Sequence, residues 1–166
     1  MCGIVGIADF TGRPVASTLL EESATLIRHR GPDASGIWTS SINGTSVGFA
    51  HQRLAVLDLR TCAEQPMHNV ACASTGRASP LVLVFNGEIY NFRALRKDLI
   101  ARGHHFVSDT DSEVLLHLYE EFGQEMLAHL HGMFAFVIWD AQTQRLFCAR
   151  DRLGKKPFYF RYTNKR

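Results

Sequence analysis

Cys2 stands at the start of the chain, where a cysteine can serve as a nucleophile and carry its own base. Removal of Met1 would leave Cys2 with a free α-amino group, whose unperturbed pKa of roughly 7.7–8.0 lies close to the thiol value of about 8.5. This amino group could deprotonate the thiol of the same residue, so that no separate histidine is required. Gly3 fits this chemistry, because glycine lets the backbone turn close to a substrate. The alternative interpretation is a cysteine that stands at position 2 by chance.

Asn86 and Gly87 could form an oxyanion site at the end of an apolar segment. The run Leu81–Phe85 predicts a buried strand that ends abruptly at Asn86. The Asn86 amide and the Gly87 backbone N–H can both donate to one oxygen, and such paired donors stabilise a tetrahedral oxyanion. The alternative is an ordinary turn, because Asn-Gly is a common turn pair.

Arg53 and Asp111 could together bind a free amino acid. An arginine fork suits an α-carboxylate, and an aspartate suits an α-ammonium group. The alternative for each is a surface charge or a helix cap, and Asp111 is well placed to cap the helix that follows it. The segment Arg30–Asp33 carries two further charged candidates, to which the same alternatives apply.

The histidines and the other cysteines do not indicate a metal site. The two close histidine pairs, His104–His105 and His129–His131, lack the further ligands beside them that zinc sites require. Cys62, Cys72 and Cys148 are expected to be ordinary core or surface thiols. No glycine-rich loop with the spacing of a phosphate site is present in the sequence. We therefore expect neither a metal nor a nucleotide cofactor here.

The composition is that of an ordinary globular domain. The chain has 166 residues, of which 46% are hydrophobic and 20% charged, with a formal net charge of +2. A charge this small and well mixed indicates neither a nucleic-acid partner nor an anionic membrane. No segment reaches the roughly 18 apolar residues of a membrane span, and the N-terminus lacks the pattern of a signal peptide, so we expect a cytoplasmic location. The C-terminal basic cluster is expected to be a solvated end: Lys155, Lys156, Arg161, Lys165 and Arg166.

Apolar residues at helical spacing predict three helices that would help to position these groups. The first begins with a capping-box pattern, and glycines stand just after the second and third, where they can end a helix. In chain order the helices are expected from Thr18 to before Gly31, from Phe92 to before Gly103, and from about Asp111 to Phe122.

Short apolar or alternating runs predict the strands. Four of them form two hairpins, one around Asn43-Gly44 and one with a turn that begins at Asp140. Hairpins at both ends with two consecutive helices between them favour an α+β fold over a doubly wound parallel sheet. The least ordered region is expected between Asn69 and Pro80. The expected strands are Gly3–Ala8, Ile37–Thr39, Val47–Phe49, Leu81–Phe85, Met133–Trp139, Arg145–Ala149 and Pro157–Phe160.

Eight short motifs occur in a fixed order along the chain. They are Met1–Ile4, Arg28–Asp33, His51–Asp58, Gln65–Met67, Phe85–Asn91, Thr110–Glu113, Gly132–Phe136 and Arg150–Gly154. This series resembles the N-terminal glutaminase domain of glutamine-hydrolysing asparagine synthetases, a branch of the class II glutamine amidotransferases. The resemblance extends from Cys2 to about Tyr159. Related proteins of polysaccharide and secondary-metabolite pathways share these motifs, so they stay open as alternatives.

The resemblance implies a fold and a nucleophile. The implied fold is α+β, a four-layer αββα sandwich of the N-terminal-nucleophile hydrolase type, with two antiparallel sheets between helix layers. Residues 1–166 would form one class II glutamine amidotransferase domain. Cys2 matches the nucleophile of the family, and Asn86 and Gly87 match its oxyanion donors.

The resemblance also implies the substrate contacts. Arg53 and Asp111 match the groups that hold the α-carboxylate and the α-ammonium of L-glutamine. Glu88 and the backbone of Leu54 match further contacts of the substrate pocket. Arg30 lies in a family motif, and we assign it no direct chemical role.

The implied reaction is hydrolysis of L-glutamine to glutamate and ammonia through a cysteine thioester, without a metal or an organic cofactor. In the synthetases the ammonia serves the ATP-dependent amidation of aspartate. ATP and Mg²⁺ would bind to a synthetase domain or subunit whose Ser-Gly-Gly-x-Asp-Ser phosphate loop is absent from residues 1–166. Two alternatives stay open: a catalytically idle, glutamine-binding or regulatory remnant, and the glutaminase half of an amidotransferase with another acceptor.

Overall fold

The structure, a computed structural model, describes residues 1–69 and 81–163. Two antiparallel sheets and three α-helices form this part of the chain. The helices are α1 (Ser17–Leu26), α2 (Phe92–Ala101) and α3 (Asp111–Phe122). The strands are β1 (Gly3–Asp9), β2 (Ala34–Ile42), β3 (Thr45–Arg53), β4 (Met67–His68), β5 (Leu81–Ile89), β6 (Gly132–Asp140) and β7 (Arg145–Arg150).

The elements stack in four layers, which confirms the αββα sandwich. One sheet has the strand order β1-β3-β2 and the other the order β4-β5-β6-β7. Helix α1 packs its buried Leu20 and Ala24 on the outer face of the first sheet, against Ala50. Helices α2 and α3 cover the outer face of the second sheet.

Strand β5 is apolar on both faces because both faces are buried. Alternate side chains of a strand point to opposite faces of the sheet. Leu83 and Phe85 therefore pack under α2 and α3, whereas Val82 and Val84 pack between the sheets against Phe49 of β3. A strand that is buried on both faces reads as a continuous apolar run, which is the pattern that predicted it.

The hairpins and the third helix are confirmed, whereas the end of β5 and the start of α1 differ from the prediction. Strand β5 does not end before Asn86 but continues to Ile89, because β6 pairs with it along the whole of this stretch. Helix α1 begins at Ser17, so Thr18 is not its cap. The backbone N–H of Val15 donates to Ser46 Oγ at 2.9 Å, and this contact keeps the chain extended up to the helix.

The predicted last strand, Pro157–Phe160, is wrong. These residues have no regular secondary structure, and Tyr159 and Phe160 are 92% and 86% exposed. Alternating apolar residues form a strand only where a neighbouring strand accepts their hydrogen bonds. The expected loop from Asn69 to Pro80 lies, beyond Asn69, outside the described residues.

Candidate active site

A cavity of about 180 Å³ collects most of the residues that the sequence singled out. It lies where the start of β1, the end of β3, the end of β5 and the start of α3 meet. Six of the seven predicted site residues line it: Cys2, Arg53, Leu54, Gly87, Glu88 and Asp111. Of the predicted seven, Asn86 is not among the lining residues, although it stands between Phe85 and Gly87, which are.

Cys2 lies against the backbone of Leu54. The backbone N–H of Leu54 points at Cys2 Sγ over 3.5 Å, and the thiol lies 3.8 Å from the Leu54 carbonyl oxygen. The Leu54 backbone, predicted as a contact of the substrate pocket, here contacts the candidate nucleophile.

Two residues of the motif Arg28–Asp33 support the position of Cys2. The Arg30 guanidinium donates to the Cys2 carbonyl oxygen at 3.4 Å. The Asp33 carboxylate accepts the backbone N–H of Ala55 at 2.8 Å, which fixes the segment that contacts the sulfur. Gly31 is required by packing, because a Cβ there would lie 2.4 Å from the Gln52 carbonyl oxygen.

Beyond its pairing with β4, the edge of β5 directs the N–H groups of three alternate residues towards the cavity side. Phe85 N–H donates to Gln65 Oε1 at 2.6 Å, and Ile89 N–H donates to Asp111 Oδ2 at 2.8 Å. In an antiparallel strand, the N–H groups of alternate residues point to the same edge. The Gly87 N–H therefore points from this edge as well, between the Gln65 and Asp111 side chains, and Gly87 lines the cavity.

Gly87 has no room for a side chain. A Cβ at this position would lie 2.4 Å from the Met133 carbonyl oxygen and 2.7 Å from Phe134 Cα. The residue is thus a glycine for packing reasons. Asn86 has the opposite orientation: the alternation along β5 places its side chain with Val84, on the face turned towards the first sheet. It is 4% exposed.

Asp111 is a buried carboxylate whose charge is opposed by its surroundings. The pKa of Asp111 is raised to about 6, chiefly by burial and also by the Glu88 carboxylate, although the hydrogen bond from Ile89 partly offsets both. The carboxylate therefore favours a cationic partner in the cavity. The alternative role of Asp111 as helix cap is wrong, because Thr110 caps α3 by accepting the N–H of Glu113 on its hydroxyl.

Arg53 is 7% exposed and held by backbone carbonyls. Its guanidinium donates to the carbonyl oxygens of Leu57 at 3.3 Å and of Asp58. Asp58 has a positive φ of 48°, and its carboxylate accepts Arg60 and the backbone N–H of Asp109. These bonds lower the pKa of Asp58 well below its usual range, with the Arg60 side chain as the largest cause. The loop thereby positions the guanidinium at the cavity.

Ten lining residues were not singled out as site residues in the sequence, and Met1, Gln65 and Lys156 are three of them. The expectation that Lys156 is a solvated end is wrong, because it is 4% exposed and its ammonium donates to Met1 Sδ at 2.9 Å. The backbone N–H groups of Lys155 and Lys156 bind the Asp151 carboxylate, which turns the chain inward here. The motif Arg150–Gly154 was the only signal that could have indicated this turn.

One group of three metal-type ligands occurs among the described residues, and it lies outside this cavity. It consists of His104, His117 and Glu120. In residues 1–69 and 81–163, no helix is long and apolar enough to cross a membrane.

The chain matches the family model described as "Glutamine amidotransferase domain" over residues 1–166. It is 42% identical to glutamine-hydrolysing asparagine synthetase 3 of Bacillus subtilis strain 168, over 96% of the chain and 25% of that protein. Asparagine synthetase 1 of the same organism is 37% identical, over 99% of the chain and 24% of that protein. The chain thus spans about a quarter of the length of these curated relatives.

A solved structure shows the same fold at low sequence identity. Glutamine phosphoribosylpyrophosphate amidotransferase from B. subtilis superposes with a TM-score of 0.60 and 21% identity, over 82% of this chain and 35% of that one.

Proposed function

The chain belongs to the glutamine amidotransferase domain family over its whole length, and on this premise we propose that it hydrolyses L-glutamine through Cys2. The observation that carries the proposal is the cavity that joins Cys2, Gly87, Arg53 and Asp111. These groups are a nucleophile, an N–H donor, a cation and an anion. An α-amino acid with a side-chain amide is complementary to all four.

The two charged side chains would orient the substrate. The Arg53 fork would bind the α-carboxylate, while Asp111 would bind the α-ammonium group together with Glu88. Arg53 is anchored by the carbonyls of Leu57 and Asp58, and Asp111 by the N–H of Ile89. Both charges are thus held before the substrate arrives, so less side-chain entropy is lost when it binds.

The chemistry would begin with attack of the Cys2 thiolate on the side-chain amide carbon. Gly87 N–H and the Asn86 amide would stabilise the oxyanion that forms, and the α-amino group of Cys2 would pass the thiol proton to the departing ammonia. Water would then cleave the γ-glutamyl thioester, releasing glutamate and the free thiol. No metal or organic cofactor takes part in these steps. Glutamate release from L-glutamine by the purified chain is the direct test.

Asn86→Ala is expected to lower kcat by roughly 10²–10³-fold, because one oxyanion donor contributes about 2.7–4 kcal/mol in comparable sites. The KM for glutamine should change little, since the donor acts in the transition state. Steady-state kinetics with thermal unfolding of the same samples measures both effects. A folded variant with unchanged kcat would remove Asn86 from the oxyanion site.

Asp111→Asn is expected to raise the KM for glutamine by roughly 30-fold or more, because the α-ammonium group of bound glutamine would lose its anionic partner in a buried site. Asparagine can still accept the Ile89 N–H, so the backbone contact is kept. For the unsubstituted chain, kcat/KM should fall as the pH drops below about 6, because protonated Asp111 cannot pair with an ammonium group. The variant should lack this inflection, and its retention would assign the titration to another group.

The same substitution is expected to stabilise the fold at neutral pH. The folded-state pKa of Asp111 lies above its ordinary value of 3.8, so folding opposes ionisation of this group. The contribution of Asp111 to the free energy of unfolding is therefore fully present below a pH of about 4, where the carboxyl is protonated, and is lost as the pH rises to about 6. Asp111→Asn should raise Tm at pH 7 and leave it unchanged at pH 3.5, as thermal unfolding at the two pH values would show. An equal gain at both pH values would contradict this origin.

We further propose that the ammonia is used by an asparagine-synthetase-type domain or subunit that binds ATP and Mg²⁺. Two observations support this. The curated relatives are about four times longer than the chain, and the C-terminal segment exposes a group of aromatic side chains. Tyr159, Phe160 and Tyr162 are 77–92% exposed, and a protein surface rarely leaves such a patch uncovered without a binding role.

The encoding DNA offers a test of this second proposal. A Ser-Gly-Gly-x-Asp-Ser phosphate loop encoded downstream, in the same or an adjacent reading frame, would support it. A downstream domain of another type would favour the glutaminase half of an amidotransferase with a different acceptor. An idle, glutamine-binding remnant is distinguished by isothermal titration, because it would bind glutamine without releasing glutamate.

A further inference from the structure

His104, His117 and Glu120 form a compact cluster on the side of α3 that faces the α2–α3 connection. The side chains are largely buried, with exposed fractions of 11%, 2% and 16%. His117 and Glu120 are three residues apart on α3, so they share one face of the helix. His104 reaches them from the connection, 13 positions before His117.

The distances within the cluster are those of ligands around one metal ion. His104 Nδ1 lies 3.2 Å from His117 Nδ1, and Glu120 Oε2 lies 3.3 Å from His117 Nδ1 and 3.6 Å from His104 Nδ1. A tetrahedral zinc ion, with N and O ligands at about 2.0–2.2 Å, holds its ligand atoms about 3.3–3.6 Å apart. The three donor atoms therefore already form one face of such a tetrahedron.

The second nitrogen of each imidazole faces a carboxylate. His104 Nε2 lies 3.2 Å from Glu121 Oε2, and His117 Nε2 lies 3.6 Å from Glu113 Oε1. In the tautomers that carry the proton on Nε2, each Nε2–H faces one of these carboxylates and both Nδ1 lone pairs are available to an ion. The ion would then replace the hydrogen bonds that His117 Nδ1 makes with His104 Nδ1 and with Glu120 Oε2. Metal-binding histidines commonly have this arrangement, with a carboxylate behind the imidazole.

Glu113 is held rigidly for this supporting position. Its carboxylate accepts the backbone N–H groups of Val107 at 2.8 Å and of Ser108 at 2.7 Å, and the Ser108 hydroxyl at 2.5 Å. The same bonds fasten the α2–α3 connection to α3. His117 and the segment that carries His104 are thus positioned by contacts that do not involve the three donor atoms.

We propose that His104 Nδ1, His117 Nδ1 and Glu120 Oε2 bind a zinc ion, with a water molecule completing the tetrahedron. Two imidazoles and one carboxylate suit Zn²⁺, whereas Mg²⁺ and Ca²⁺ prefer oxygen ligands. The ion would link the α2–α3 connection to α3, whose first residue is Asp111, and would take no part in the hydrolysis. The sequence-based expectation of no metal rested on neighbouring histidine pairs, and this set joins one histidine of such a pair to two residues of a helix.

Zinc titration of the purified chain, first treated with a chelator, tests this site. One Zn²⁺ per chain should bind, and Tm should rise by roughly 5–10 °C when free Zn²⁺ is about 100 times its dissociation constant. His104→Gln should abolish both effects. His105→Gln is the matched control, because this neighbouring histidine is exposed and should leave them unchanged. Mg²⁺ should give no shift.

Two further measurements separate the site from other sources of zinc affinity. Glu121→Gln should weaken binding by roughly 10–100-fold, because it removes the carboxylate behind His104. Co²⁺ should bind with a tetrahedral visible spectrum and without a sulfur charge-transfer band. Equal binding by His104→Gln, or loss of binding in Cys2→Ala alone, would overturn the proposal. The absence of any zinc effect on Tm would equally overturn it.

Discussion

Cys2→Ala is expected to lower the rate of glutamate release from L-glutamine by at least about 10⁴-fold. Removal of the nucleophile takes away the covalent route, and loss of such a group costs roughly 10⁴–10⁶-fold in enzymes of this kind. The binding groups remain, because Arg53 and Asp111 are anchored by Asp58 and Ile89 and not by Cys2. The variant should therefore still bind glutamine, as isothermal titration would show.

The matched control for this substitution is Cys148→Ala. Cys148 is an exposed thiol on β7, outside the residues that line the cavity. The Cys148→Ala variant should keep the full rate, and its activity should stay sensitive to thiol-alkylating reagents. The Cys2→Ala variant should lose this sensitivity. Equal rates of Cys2→Ala and the unsubstituted chain would contradict the thioester mechanism. A contaminating glutaminase would be revealed by the same comparison.

A chain that keeps Met1 is expected to release glutamate roughly 10²–10⁴-fold more slowly than a chain that begins at Cys2. In the chain with Met1, the nitrogen of Cys2 is an amide and cannot accept a proton. Met1 also lines the cavity, where its sulfur accepts the Lys156 ammonium. Retention of the methionine would thus remove the proposed base and fill part of the substrate site.

Two preparations of one sequence separate these forms. A fusion released by a protease that leaves Cys2 first gives the free amine, and an uncleaved fusion blocks it. Mass spectrometry establishes the first residue of each sample before glutamate release is measured. The free form should be active and the blocked form should not. Equal activity would show that another group accepts the thiol proton, and Lys156, which lines the same cavity, would be the next residue to substitute.

The helices and hairpins were largely predictable because their signals are local. Helix α3 runs over Asp111–Phe122 as its apolar spacing predicts, and Gly123, with a φ of 54°, ends it. The β2–β3 hairpin turns at Asn43 and Gly44, which both have positive φ, as the Asn-Gly pair predicts. The prediction failed where a distant strand decided the outcome. β6 extends β5 past Asn86, and within residues 1–69 and 81–163 no strand pairs with Pro157–Phe160.

The sequence by itself determined the nucleophile candidate, the order of the motifs and the α+β class, because these depend on residue types and on short-range periodicity. Only the tertiary structure decided how the groups meet. It places the Leu54 N–H against the Cys2 sulfur, turns Lys156 into the cavity, and brings His104 onto His117 and Glu120. Such contacts join residues that are up to 155 positions apart. They follow from the packing of two sheets and their helices, which no local pattern specifies. For Cys2 the outcome is a residue that contacts Leu54, directly after β3, and shares a cavity with residues of β5 and α3.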